Sequence, residues 1–94
     1  MNSEKDLLWF KSIESNLKGY EIEYKFFEKG DFGSLNQIEF NSESKGGNID
    51  FWSIGWVGIY LVDYSEGTEL MNLLLEPTEK ERINVSLEKL ISLL

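Results

Sequence analysis

Residues 46–64, GGNIDFWSIGWVGIYLVDY, decide the fold, because they hold two of the three tryptophans and two runs with strand character. Side chains alternate across a strand, so Ile49 and Phe51 point one way and Asp50 and Trp52 the other. In the second run Val57, Ile59 and Leu61 share one face, with Trp56, Tyr60 and Val62 opposite. Ser53-Ile54-Gly55 is short and contains glycine, which suits a tight antiparallel connection. Adjacent strands are predicted over residues 47–52 and 56–63, forming a core hairpin.

Toward the N-terminus, Tyr20, Ile22, Tyr24 and Phe26 alternate with Glu21, Glu23 and Lys25, the clearest period-two signal in the chain, which predicts a strand over residues 20–28. Gly30-Asp31-Phe32-Gly33 has a turn composition, and Ile38 and Phe40 share a face in a second strand over residues 35–41. Residues 41–47, NSESKGG, read as a polar loop with turn glycines at 46 and 47. Before these, Ser3 with Asp6 resembles a capping box, and Leu7, Phe10, Ile13 and Leu17 recur at helical spacing. A first helix is expected from Glu4 to Leu17 or Lys18, with Trp9 in the core and Gly19 just past its end.

Toward the C-terminus, Ser65-Glu66-Gly67 marks a turn. Residues 68–76, TELMNLLLE, fit two patterns: Met71, Leu73 and Leu75 line one face of a strand, while Leu70, Leu73 and Leu74 suit a helix. The short link to Asp63 and the break at Pro77 favour a fifth strand. Thr78 with Glu81 forms a predicted capping box for a final helix whose apolar stripe is Ile83, Leu87, Leu90, Ile91 and Leu94. The reading is a single α+β domain spanning residues 1–94: an antiparallel sheet of four to five strands in a meander, with an N-terminal and a C-terminal helix packed on one face.

The chain has 94 residues, 17 of them acidic and 9 basic, for a formal net charge of -8. That balance repels nucleic acid and anionic lipid and attracts a basic partner. It also keeps a small protein in solution, and that alone could account for it. Cysteine is absent, so no disulfide framework points to an oxidising compartment. The N-terminus is unlike a secretory signal, and no stretch approaches the roughly 20 apolar residues that span a bilayer, which makes cytoplasmic the expected location.

With neither histidine nor cysteine, the usual general base, nucleophile pairs and transition-metal ligand sets are missing. Carboxylate pairs such as Glu21 with Glu23, or Asp50 with Asp63, are what a chain this acidic produces by chance. No catalytic residue, metal or cofactor is assigned. Gly46-Gly47 and Gly55 precede no helix and lack a lysine at phosphate-loop spacing.

If helices cover one face of the sheet, the other presents Glu21, Glu23, Lys25, Glu39, Asp50, Trp52, Trp56 and Tyr60. Exposed aromatics ringed by acids match the anatomy of a protein-binding surface, where Trp and Tyr supply anchor area and charge steers the partner. The alternative is structural: Trp52 and Trp56 pair across the hairpin or shield its backbone.

Gly47-Asn48-Ile49-Asp50-Phe51-Trp52, Gly55-Trp56 and Leu61-Val62-Asp63-Tyr64 resemble small bacterial immunity proteins encoded beside polymorphic toxins, including those of contact-dependent growth inhibition. The likeness covers about residues 46–76 together with the size and acidity of the chain, and no family site residue carries over. It implies a cytoplasmic protein that binds and neutralises one toxin, often a basic nuclease, by occluding its active or substrate-binding surface. In that reading Trp52, Trp56 and Tyr60 anchor the contact, and Glu21, Glu23, Glu39, Asp50 and Asp63 steer it. The competing class is an acidic regulatory or nucleic-acid-mimic protein that binds a host DNA-binding factor. A third, a small carboxylate enzyme or ligand-binding fold, predicts a concave pocket of converging acids with perturbed pKa values.

Overall fold

A computed structural model describes residues 11, 17–28 and 33–94. Among the described residues it has the strands β1 (Glu21–Phe27), β2 (Leu35–Asn41), β3 (Lys45–Trp52), β4 (Val57–Asp63) and β5 (Thr68–Leu75) and the helix α1 (Lys80–Leu93). The strands form one sheet in chain order, each antiparallel to its neighbours. The α+β class and the five-strand meander expected from the sequence are present. The expected first helix, with Trp9, falls almost wholly outside the described residues, as does Phe32.

The hairpin of residues 46–64 lies at the centre. Its register pairs Ile49 with Ile59 and Phe51 with Val57, placing apolar side chains on one face as alternation requires. The link is a three-residue turn: Gly55 N–H donates to Trp52 O at 2.9 Å, and Gly55 takes a φ of 103° that side-chain-bearing residues rarely adopt. A Cβ at Gly55 would also lie 2.9 Å from Pro77 Cβ, so the turn rests against the residue that leads into α1.

Two expectations are corrected. Lys45, Gly46 and Gly47 belong to β3 and not to a polar loop. The Ser42 hydroxyl tightens the turn to three residues by accepting from Lys45 N–H at 3.1 Å and donating to Lys45 O at 3.1 Å. The glycines serve close approach within the sheet: a Cβ at Gly47 would collide with the Tyr60 carbonyl oxygen. The Thr78–Glu81 capping box does not form either. The residue before α1 is Glu79, and its carboxylate accepts from Glu76 N–H at 2.9 Å and pairs with Arg82 at 2.6 Å. Those contacts hold the Glu79 carboxyl below its ordinary value, the Glu76 amide contributing most.

β5 resolves the 68–76 ambiguity as a strand with a bulge. Leu61 pairs with Met71 and Val62 with Glu69, leaving Leu70 as an extra residue. Met71 and Leu75 are buried, and Leu70 and Leu73 pack against them.

The core lies between the sheet and α1. Ile38, Phe40, Ile49, Ile59, Leu61, Leu75 and Leu90 are almost wholly inaccessible, and Leu17 from the N-terminal side joins them. Burial of this kind is the main favourable term in folding, about 1.5–3 kcal/mol for a large apolar side chain. On β1, Tyr24 is 44% and Phe26 61% exposed although both have the parity of the helix side. Lys45 also lies on that side, donating from its ammonium to the Leu93 carbonyl at the C-terminal end of α1, where a cation is favourable.

Candidate functional site

Side chains opposite the core make an outer face whose composition follows from the register. One cross-sheet row runs Glu23, Glu39, Asn48, Tyr60, Asn72, and the next runs Lys25, Gln37, Asp50, Gly58, Leu74. Beyond the second lies Phe27, Leu35, Trp52, continued to Trp56 because Trp52 N–H donates to Trp56 O at 3.0 Å. Beyond the first lie Glu21 and Asn41, with Glu69 at the β5 end. The face has an apolar end and an acidic corner, with a hydrogen-bonded polar strip between them.

The structure brings together seven of the eight residues expected to bind a partner: Glu21, Glu23, Glu39, Asp50, Trp52, Trp56 and Tyr60 all lie on this face. Asp63 does not join them. It has the parity of Ile59 and Leu61 and stands opposite Lys45 and Thr68. Its Oδ1 accepts from Ser65 N–H at 3.0 Å and from the Ser65 hydroxyl at 2.9 Å, organising the turn after β4. The Ser65 hydroxyl is the main reason its carboxyl lies below its ordinary value. Asp50 and Asp63 therefore occupy opposite faces and form no carboxylate pair.

The aromatics are half-buried. Trp52 and Trp56 stand opposite each other in the backbone of the hairpin, and the Trp52 ring reaches over Gly58, passing 3.3 Å from where a Cβ would stand. The backbone-shielding role expected for Trp52 is thus present, and it coexists with a ring that solvent still reaches. Such a ring, fixed by its neighbours, loses little conformational freedom when a partner covers it. Three apolar residues that sequence reasoning left out extend this end: Phe27 and Leu74 are 46% and 52% exposed, and Leu35 is half-buried. Phe27 was recoverable, since it has the parity of Glu23 and Lys25. Leu74 was recoverable too, since it alternates with Leu73 and Leu75.

At the centre, Asp50 Oδ1 accepts from Gln37 Nε2 at 2.9 Å and from Asn48 Nδ2 at 3.2 Å. Burial pushes the Asp50 carboxyl above its ordinary value; the two amides offset this in part, and the Glu39 charge adds to it. A carboxylate fixed by two side-chain amides on an otherwise open sheet face is a rigid acceptor.

At the acidic corner, Glu23 stands directly opposite Glu39. Like charges facing each other across a ladder destabilise a sheet. Lys25 answers one of them, its Nζ lying 3.0 Å from Glu39 Oε1, and that contact raises the lysine above its ordinary value. The Glu23 charge also acts on Lys25 and raises it further.

Among the described residues, no group of three or more acids is arranged to hold a metal ion, and no helix is long and apolar enough to cross a membrane. One hollow, lined by Lys11, Tyr24, Lys25, Phe26, Asn36 and Gln37, contains no carboxylate; another, lined by Gly19, Glu21, Asn41, Ser42 and Glu43, contains two. Comparison of the chain with known protein families, characterised proteins and solved structures finds no match.

Proposed function

We propose that this chain is an immunity protein. It binds one cognate bacterial toxin, a basic nuclease, in the cytoplasm and neutralises it by occluding the active or substrate-binding surface. The observation that carries this reading is the outer sheet face. Trp52, Trp56 and Tyr60 are held half-buried beside Glu21, Glu23, Glu39 and Asp50, and the one cation among them, Lys25, is already paired with Glu39. The aromatics supply anchor area and the acids select a cationic surface, the combination that gives protein interfaces affinity and specificity. A standard interface needs about 800 Å² per partner, which one face of a five-stranded sheet can provide. The likeness of residues 46–76 to immunity proteins points the same way.

Co-expression with the product of the adjacent upstream gene tests the proposal. Growth rescue together with a stable complex is the expected result. Failure of both, with capture of a host DNA-binding factor instead, would assign the same acidic face to the regulatory role.

A further inference from the structure

Asp50 lies on β3, the central strand of the sheet, and its two carboxylate oxygens have different surroundings. Oδ1 accepts from Gln37 Nε2 at 2.9 Å and from Asn48 Nδ2 at 3.2 Å, so β2 and the preceding outward residue of β3 hold it. Oδ2 takes no hydrogen bond among the described residues. It lies on the β4 side, 3.3 Å from where a Cβ on Gly58 would stand, and Trp52 Cζ3 lies 3.3 Å from the same point. A carboxylate oxygen and the rim of an indole ring thus converge over a residue that has no side chain, and glycine at 58 is what lets both approach.

No described cation neutralises this carboxylate. Lys25 shares its cross-sheet row, but the ammonium lies 3.0 Å from Glu39 and forms no ion pair with Asp50. Asp50 is half-buried whereas Glu21 and Glu23 are exposed. Part of its hydration is already lost and its orientation is already fixed, so a docking cation costs it less desolvation and ordering than it costs an exposed acid.

We propose that Asp50 Oδ2 and the Trp52 ring form a subsite for one arginine side chain of the protein partner. A guanidinium N–H donates to Oδ2 while the guanidinium plane lies against the indole. Arginine suits the pair better than lysine, because its cation is planar, weakly hydrated and able to stack on a ring and donate at once. The assignment rests on reading the outer face as the partner-binding surface. It gives Asp50 a directional role there, distinct from the steering supplied by the exposed acids.

Titration of the free full-length chain with the tripeptide Arg-Arg-Arg, followed by NMR of the Gln37 and Asn48 side-chain amides, tests the subsite. Both amide signals should shift saturably. Asp50→Asn keeps an oxygen for the two amides and should weaken binding roughly tenfold, the scale of one charge-assisted hydrogen bond. Glu69→Gln removes the same charge at the β5 end of the face and should weaken it by less than about twofold. Lys-Lys-Lys should bind about fivefold more weakly than the arginine peptide. Unmoved amide signals, equal losses in Asp50→Asn and Glu69→Gln, or equal binding of the two peptides would overturn the proposal. Growth rescue reads the immunity role separately: rescue by a chain that fails the peptide test removes the subsite alone, and a chain that passes without rescue removes the toxin reading alone.

Discussion

Asp50 shows how one residue on this face trades stability against presentation of charge. Its carboxyl lies above its ordinary value, chiefly through burial. The folded state therefore favours the protonated form: the contribution of this group to stability is greatest below the carboxylate range and is lost as pH rises through the folded-state value. Asp50→Asn keeps an oxygen for Gln37 and Asn48 and removes the charge. Its thermal midpoint should exceed that of the parent at neutral pH, and the gap should close on acidification, as unfolding scans from about pH 8 to about pH 3 would show. A gap of constant size would mean that the Asp50 charge is not the cause. At Gly47 the constraint is steric. Ala at this position should cost about 1–3 kcal/mol in denaturant unfolding, because the carbonyl of Tyr60 occupies the space a methyl group needs. Sequence reading took this glycine for a turn residue: its composition signals loops, whereas its strand role depends on which backbone crosses it.

At the level of elements, the period-two pattern of 20–28 and the Ser53-Ile54-Gly55 connection were legible because each is decided by neighbours in the chain. The outer-face membership of Glu21, Glu23, Glu39, Asp50, Trp52, Trp56 and Tyr60 followed from parity alone. What was not legible required a second strand or a helix end: the bulge at Leu70, which brings Glu69 opposite Val62, and the Glu79 contacts that replaced the expected capping box. Asp63 was misplaced for a simpler reason. It was chosen for its charge, although its parity with Ile59 and Leu61 already set it on the other face. The helix-side core is the element-scale determinant of stability, and α1 joins it through Leu87 and Leu90. Leu90→Ala, at a wholly inaccessible position, should destabilise the fold by about 2–5 kcal/mol in denaturant titration. Val85→Ala on the exposed side of α1 should change it by less than about 0.5 kcal/mol.

For the whole molecule, charge and shape act together. If the chain has the proposed role, its formal net charge of -8 makes it meet a cationic partner at a rate that falls as salt rises, and the half-buried aromatics then set how long the complex lasts. The two contributions separate experimentally. Glu23→Gln with Glu39→Gln should slow association and flatten its salt dependence. It removes the exposed Lys25–Glu39 ion pair and relieves the like-charge pair, so the stability of the isolated fold should change by less than about 1 kcal/mol. Trp56→Ala should act mainly on dissociation, weakening the complex by tenfold or more, the scale of an interface anchor.

The most direct test of the proposed role is a calorimetric titration of this protein with the toxin encoded beside it, for the parent chain, Trp56→Ala and the Glu23→Gln/Glu39→Gln pair, each checked for folding. The account predicts a salt-sensitive complex weakened by both changes. A complex whose affinity neither change alters would place the partner elsewhere on the molecule and contradict the assignment of the outer sheet face.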